Sequence, residues 1–100
     1  MREPLFLEIE KVLEIHRDQI ERYGGSPGIR DLNLLQSALS APQATFGELF
    51  LHSDIYEMAA TLFFGIVGNH PFVDGNKRAG GMATLVFLYI NRFRLEMDGD

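Results

Sequence analysis

The first quarter of the chain repeats its apolar positions with a helical period. Apolar residues recur at three- and four-residue steps, and charged residues fill the positions between them. This period predicts an amphipathic helix with the following stripe: Phe6, Ile9, Leu13, His16, Ile20 and Tyr23. Because proline suits the start of a helix and glycine its end, we expect Pro4 in the first turn and Gly24-Gly25 at the end.

A shorter second helix is predicted after a turn-rich connection. Asp31 is a suitable N-cap for it, and Pro42 closes it. Its apolar side carries Leu32, Leu35 and Leu39. Between residues 45 and 51 the periodicity is weak, so a loop, a short hairpin and part of a helix all remain open.

Two longer helices are predicted in the second half of the chain. The third helix begins near Asp54, with Glu57 at the capping-box spacing, and ends at residues 68–69. The fourth begins at residue 76 or 77 and continues to about residue 91. Since positions 82–90 are apolar on nearly every face, we expect this helix to be central and surrounded by the others.

The end of the chain changes period. Apolar and charged residues alternate from 92 to 98, which predicts a short strand entering a turn at Asp98-Gly99. Because a strand needs a partner, either a natural C-terminal segment is missing or the region 43–53 pairs with it. The patterns together predict an all-α fold in one compact domain, 1–100, with a central buried helix and possibly a short C-terminal strand or hairpin.

Composition narrows the classes of function. The chain has 100 residues, of which 46% are hydrophobic and 23% charged, enough for one core. It has no cysteine, so neither disulfides nor thiolate metal sites are available, and a reducing compartment is permitted. No signal peptide is visible, and the longest apolar run, 82–90, is too short to cross a membrane. We therefore expect a cytoplasmic protein with no membrane partner.

Charge argues against nucleic acid as a partner but leaves room for a smaller anion. The net charge of −5 is unsuited to general nucleic-acid binding. The cations are unevenly placed, however, and these four fall in the last quarter: Lys77, Arg78, Arg92 and Arg94. An anionic ligand is therefore conceivable there.

The polar stretch at residues 70–81 joins the third helix to the start of the fourth. The first turn of a helix has unpaired N–H groups and a partial positive charge, and Gly75 lets a phosphate approach that backbone. Lys77 and Arg78 are unfavourable at this end of a helix unless an anion compensates. His70 could accept a proton from a hydroxyl, and Asp74 could hold Mg²⁺ that bridges to phosphate oxygens.

Structural roles compete with this interpretation. Alone, His70 would be read as a helix cap or surface residue, and Asp74 or Asn76 as an N-cap. His16 lies on an apolar stripe, which favours a hydrogen-bonded core histidine. Two other classes stay open. One is a hydrolytic metal site at His70 and Asp74, for which His16 and His52 offer no clear further ligands, and the other is a non-catalytic binding module.

The nine residues "HPFVDGNKR", from His70 to Arg78, resemble the signature of the Fic/Doc family. The earlier segments "YGGSPGIRDLNLLQSAL" and "PQATF" are similar to the N-terminal half of its Doc (death-on-curing) branch, so the resemblance covers nearly the whole chain. Family members continue beyond the point where this chain ends. The resemblance therefore implies that a C-terminal helix is lacking.

The resemblance implies a helical domain that transfers part of a nucleotide to a hydroxyl side chain of a target protein. By this likeness His70 is the general base, Asp74 the Mg²⁺ ligand, and Arg78 a contact to phosphate. The anion-binding loop consists of Gly75, Asn76 and Lys77. The implied cofactors are ATP or another nucleotide and Mg²⁺. The weakly patterned stretch 45–52 corresponds to the family's flap, which is similar to a docking edge for an extended target segment.

At two positions this chain differs from the AMP-transferring members of the family, and these differences bear on which group is transferred. AMP-transferring members usually have glycine where this chain has Lys77, and a second arginine where it has Gly81. Doc-type members carry the lysine, lack that arginine, and pass the γ-phosphate to elongation factor Tu. Gly75 and Pro71, in contrast, resemble the AMP-transferring members. We therefore expect phosphorylation, with AMP transfer as the alternative.

Regulation is also implied by the family. Ser53 and Glu57 have the spacing of the family's inhibitory helix, whose glutamate pairs with the second arginine. Because Gly81 stands in place of that arginine, Ser53 to Glu57 reads as an ordinary helix start. The expected inhibitor is a separate antitoxin that acts in trans.

Overall fold

The structure, a computed structural model, describes residues 3–52 and 54–98. In that part of the chain the elements are α1 (Ile9–Tyr23), α2 (Leu32–Ser40), a 3₁₀ turn (Ala41–Gln43), β1 (Thr45–Phe46), β2 (Leu49–Phe50), α3 (Ile55–Asn69) and α4 (Asn76–Asp98). β1 and β2 form an antiparallel hairpin, one of the three possibilities left open for this stretch. The all-α class is confirmed.

The predicted caps of α2 and α3 are both confirmed. Asp31 accepts a hydrogen bond from the N–H of Leu34 at 3.1 Å. Asp54 accepts one from the N–H of Glu57 at 2.8 Å. A cap of this kind contributes about 1 kcal/mol to helix stability. Ser53 lies outside the described residues, and α3 begins directly after Asp54.

α1 ends where the sequence predicts but begins later. Its last bond runs from the N–H of Gly24, whose φ is +85°, to the carbonyl of Ile20. The placement of Pro4 in the first turn is wrong, because the helix begins at Ile9. The preceding segment is held by α4 instead, since Asn91 exchanges two hydrogen bonds of 2.9 Å with the backbone N–H and carbonyl of Leu5.

The predicted C-terminal strand is wrong, because α4 continues as a helix to Asp98. A strand needs a neighbouring strand to bond its N–H and carbonyl groups. The two hairpin strands pair with each other and do not pair with residues 92–98. A helix satisfies these groups within its own segment. Gly99, in the predicted turn, lies outside the described residues.

α4 packs against both α1 and α3. A buried stripe on it recurs every four residues, at Ala79, Ala83, Phe87 and Asn91, and Asn76 and Gly80 are buried as well. Small residues let α3 approach closely, and a Cβ on Gly80 would lie 3.2 Å from the Val67 side chain. The opposite face exposes Met82, Leu85 and Tyr89. The central helix is therefore buried along one face and is not surrounded on every side.

None of the helices in residues 3–52 and 54–98 is long and apolar enough to cross a membrane. The expected cytoplasmic location stays a prediction. The single domain over 1–100 and the missing C-terminal helix also stay predictions.

Candidate active site

The candidate site lies between the end of α3 and the start of α4. α3 stops at Asn69, and His70 takes a left-handed conformation with φ 50° and ψ 56°. Pro71 disfavours the right-handed helical conformation at the residue before it, which helps to end α3. The chain then reaches Gly75, whose φ is +75° and whose carbonyl accepts the first bond of α4 from Ala79 at 2.8 Å. Residues 70–75 are called the site loop below.

The connection between α1 and α2 forms a backing for the site loop. Residues 28–31 run antiparallel to residues 71–73 through a bridge between Ile29 and Phe72. The accompanying backbone bonds are Val73 N–H to Gly28 O at 3.1 Å, Arg30 N–H to Pro71 O at 2.7 Å and Asp31 N–H to Pro71 O at 3.0 Å. The site loop is therefore shaped by a segment that lies far from it in sequence.

The Arg30 side chain adds two further bonds to the end of α3. Its Nε donates to the carbonyl of His70 at 2.6 Å, and its Nη2 donates to the carbonyl of Asn69 at 2.7 Å. Asn69 is also tied down, since its Nδ2 donates to the carbonyl of Leu34 at 3.0 Å. The last carbonyls of α3 therefore have donors although the helix has ended.

Asn76 is buried, and its amide holds the site loop from the α4 side. Its Oδ1 accepts from the Phe72 N–H, and its Nδ2 donates to the Phe72 carbonyl, both at 2.9 Å. Nδ2 also lies 3.2 Å from His70 Nδ1. Because Nδ2 can only donate, Nδ1 is the acceptor here, and the neutral ring carries its proton on Nε2. Of the predicted anion loop, Asn76 therefore offers its backbone N–H rather than its side chain.

His16 supports the site loop from below. Its Nε2 donates to the carbonyl of Asp74 at 2.8 Å, and its ring stacks on Phe72 with centroids 3.8 Å apart and 3° between the planes. The side chain is only 5% exposed. The prediction of a hydrogen-bonded core histidine is confirmed, and its partner shows that α1 helps to position the loop.

Backbone amides hold the Asp74 carboxylate in place. Its Oδ2 accepts from the N–H of Ser26 at 3.1 Å, and its Oδ1 accepts from the N–H of Gly75 at 2.8 Å. These hydrogen bonds hold the pKa of Asp74 below its ordinary value of 3.8. The bond from Ser26 has the largest effect, the bond from Gly75 the next, and the positive charge of Arg78 contributes less. The carboxylate is exposed and ionised at neutral pH.

Gly25 is a site residue that the sequence did not reveal. A Cβ there would lie 2.8 Å from Asp74 Oδ2 and 3.0 Å from Arg78 Nη2, and its φ of +116° disfavours any side chain. The sequence indicated only that Gly24-Gly25 ends α1. One glycine is enough to cap a helix, so the second glycine was the sign in the sequence that other atoms approach the backbone closely there.

The six predicted site residues are all brought to one cleft of about 340 Å³. Its lining is His70, Val73, Asp74, Gly75, Asn76, Lys77 and Arg78. His70 and Lys77 are exposed, whereas Arg78 is half-buried. The first-turn N–H groups of α4 open at the same place and have no partner within the helix. Positive charge, a carboxylate and an imidazole therefore share one small volume.

The other two histidines take no part in this cleft. His16 lies beneath the site loop, and His52 bonds Glu57 Oε1 through Nδ1 at 3.0 Å. Across residues 3–52 and 54–98, no three His, Asp or Glu side chains cluster as a metal site would require. Mg²⁺ is often held by one or two carboxylates together with substrate phosphates and water. Asp74, ionised and exposed beside the start of α4, fits that pattern.

These features define a class of protein: a helical domain in which a glycine turn and the first-turn N–H groups of a partly buried helix lie beside a histidine held by an asparagine amide. The family model described as Fic/DOC family matches residues 6–88, and the chain belongs to this family.

Two relatives were found among characterised proteins. The chain is 38% identical over 78 residues to "Toxin Doc" of Mycolicibacterium smegmatis (strain ATCC 700084 / mc(2)155), covering 78% of this chain and 60% of that protein. It is 32% identical over 84 residues to "Protein kinase doc" of Escherichia phage P1, covering 82% of this chain and 64% of that protein. The chain thus spans less than two thirds of the length of either relative. No solved structure matches it.

Proposed function

We propose that this chain is a Doc-type toxin kinase that transfers the γ-phosphoryl group of ATP to a hydroxyl side chain of a target protein. The observation that carries the proposal is the shared cleft, which places His70, Asp74 and the start of α4 around one volume. The names of the two relatives, a toxin and a protein kinase, support the same activity.

The start of α4 is suited to the phosphates of the nucleotide. The N–H of Gly75 is already used by Asp74, so the available N–H groups begin at Asn76. Lys77 and Arg78 add two formal charges at the mouth of the cleft. This pairing of backbone dipoles with cations stabilises the charge that spreads over the phosphate oxygens during transfer.

His70 is the general base in this proposal. The target hydroxyl oxygen bonds to the γ-phosphorus, the bond from that phosphorus to the bridging oxygen breaks, and ADP leaves. The hydroxyl proton passes to the imidazole nitrogen that carries the lone pair. In this structure that nitrogen is Nδ1, so the 3.2 Å contact with Asn76 is exchanged for one with the hydroxyl.

Asp74 is the proposed ligand of Mg²⁺. This carboxylate would hold the ion, which would supply positive charge against the negative charge that develops on the phosphate. Asp74 suits this role because its pKa is lowered and two backbone amides fix its orientation.

The hairpin of β1 and β2 is the proposed docking edge for the target. Phe46, Leu49 and Leu51 are all exposed there, which suits contact with an extended segment of another protein. Elongation factor Tu is the proposed target, and a separate antitoxin the proposed inhibitor. Both proposals come from the family likeness.

AMP transfer is the second candidate, and Gly75 and Pro71 are the residues that favour it. In that reaction the hydroxyl oxygen bonds to the α-phosphorus, and pyrophosphate leaves. Lys77 and Gly81 favour phosphoryl transfer, because they differ from the glycine and the second arginine typical of AMP-transferring members.

Labelled ATP separates the two candidates. The chain would be incubated with purified elongation factor Tu, and separately with a bacterial lysate, using ATP labelled at the α or the γ position. We expect label from the γ position only, and a loss of about 10²-fold or more in His70→Ala. His52→Ala removes a histidine outside the cleft and should retain activity. Label from the α position would support AMP transfer, and label that does not depend on His70 would refute the proposed site.

A further inference from the structure

We propose that Arg30 is a positioning residue for His70, one that holds it in the left-handed conformation from which the imidazole reaches the cleft. The catalytic part of this inference rests on the proposed function. The structural part does not, because it concerns only the backbone of His70.

Arg30 bonds three consecutive carbonyls. Its side chain donates hydrogen bonds to the carbonyls of Asn69 and His70, and its backbone N–H donates one to the carbonyl of Pro71. No other described residue donates to more than one of these three carbonyls. The guanidinium fork is planar and rigid, so its two donors also fix the angle between the carbonyls that they bind.

The conformation held in this way is unfavourable for histidine. In the left-handed region the Cβ of an L-residue crowds its own backbone, and only glycine adopts it without cost. Among residues 3–52 and 54–98, His70 is the one residue other than glycine with positive φ. A strained backbone persists only where its surroundings hold it, and such residues concentrate at functional sites.

The direction of the imidazole depends on this conformation. The two carbonyls at Asn69 and His70 face Arg30, whereas the His70 ring faces Asn76. If the backbone of His70 rotated, the carbonyl would leave Arg30 and the ring would leave the cleft. Because Arg30 is not part of the cleft lining, its effect on the reaction is exerted through His70.

The structural part is tested by NMR on the full chain. A residue with positive φ has a short distance between its amide and α protons and therefore a strong intraresidue NOE. We expect this NOE at His70 in the wild type, a marked weakening in Arg30→Ala, and an intermediate value in Arg30→Lys, which keeps one donor group but loses the fork. Arg22→Ala is the control, since Arg22 is exposed and its side chain bonds Asp18, far from the Arg30 contacts.

The catalytic part is tested by kinetics on the same variants. A misplacement of the base by about 1 Å can cost about 10²-fold in rate, so we expect kcat to fall roughly tenfold to 10²-fold in Arg30→Ala. KM for ATP should change less than about twofold, because the phosphate contacts are untouched. Added methylguanidinium should restore part of the lost rate in Arg30→Ala and none in His70→Ala.

The outcomes separate this inference from the proposed function. An unchanged NOE at His70 in a folded Arg30→Ala variant would overturn the positioning role. A raised KM with unchanged kcat would overturn it too, because Arg30 would then be a binding residue. If Arg30→Ala does not fold, Arg30→Lys and Arg30→Gln carry the same comparison. Absence of phosphoryl transfer in the wild type would refute the kinase and leave the NOE result standing.

Discussion

The site loop and the β1–β2 hairpin are both short connections with exposed residues, yet they are held in opposite ways. The site loop is bonded by three segments: residues 28–31, through their backbone and the Arg30 side chain, His16 of α1 and Asn76 of α4. The hairpin is bonded mainly to itself, with a closing bond from the N–H of Leu51 to the carbonyl of Ala44 at 2.8 Å. The proposed catalytic groups thus lie on a loop whose backbone is fixed by several elements. The proposed docking surface lies on a hairpin that few other elements hold.

Two glycines with positive φ give the largest expected contrast between these regions. Gly25→Ala beside Asp74 and Gly47→Ala in the hairpin both place a side chain in an unfavourable conformation, at about 1–2 kcal/mol each. Only the Cβ at position 25 meets other atoms, the ends of the Asp74, Arg78 and Ile20 side chains, and moving the Asp74 carboxylate away from the Ser26 N–H adds about 1–2 kcal/mol. Urea unfolding should show Gly25→Ala as clearly the less stable variant. Equal losses would mean that the surroundings of Gly25 accept a side chain as easily as the hairpin does.

Two asparagines on α4 sharpen the comparison, because each bonds the backbone N–H and carbonyl of one extended residue. Asn76→Ala would leave the polar groups of buried Phe72 unpaired, at about 2–3 kcal/mol. Asn91→Ala should cost less, about 1 kcal/mol, because water can reach the more exposed Leu5.

Thermal unfolding measures both losses, and phosphoryl transfer at a temperature where both variants are folded separates their roles. Only Asn76→Ala should lose transfer, since Asn76 holds the loop that carries His70, whereas Asn91 bonds Leu5 and Phe87. Equal loss of transfer in the two variants would show that the effect comes from general stability.

The acid titration of Asp74 gives a smaller effect. The pKa of Asp74 is lower in the folded state than its ordinary value of 3.8, so the ionised carboxylate stabilises the fold at pH values above 3.8. This contribution is lost as the pH falls through the folded-state pKa. The stability difference between wild type and Asp74→Asn should therefore be present at pH 7 and shrink below pH 3.8. NMR titration of the carboxyl carbon should give a midpoint below 3.8, and a midpoint above it would contradict the bonds described for Asp74.

The smallest stability effect is expected at the tip of the hairpin. Phe46→Ser and Leu49→Ser replace side chains that are 84% and 76% exposed, so unfolding free energies should change by about 0.5 kcal/mol or less. Transfer to the protein target should fall, whereas ATP binding measured by calorimetry should not. A large loss of stability would show that the hairpin is anchored as firmly as the site loop.

Local signals predicted much of this fold and most of the cleft. The caps at Asp31 and Asp54 are visible because a cap involves residues only three apart. The cleft residues from His70 to Arg78 are contiguous, so one motif was enough to bring them together. Caps within one helical turn and sites within one short contiguous segment are therefore readable from a single sequence.

What the sequence did not reveal depends on distant partners. The bonds from Arg30 to the end of α3 join residues about 40 positions apart, and no local pattern marks them. Pro4 was misplaced because the extended segment before α1 is held by Asn91, at the far end of the chain. The alternation at 92–98 was misleading, because a seven-residue pattern of period 2 has little weight without a strand to pair with.

The backing of the site loop by residues 28–31 has a consequence for the timing of activity. Protein synthesis delivers the N-terminal segment first, so the surface that shapes the loop leaves the ribosome before the loop itself. A growing chain that has just exposed His70 still lacks α4, and with it Asn76 and both cations. We expect nascent protein to carry no working cleft, which would delay any toxicity until the newly made molecule has folded.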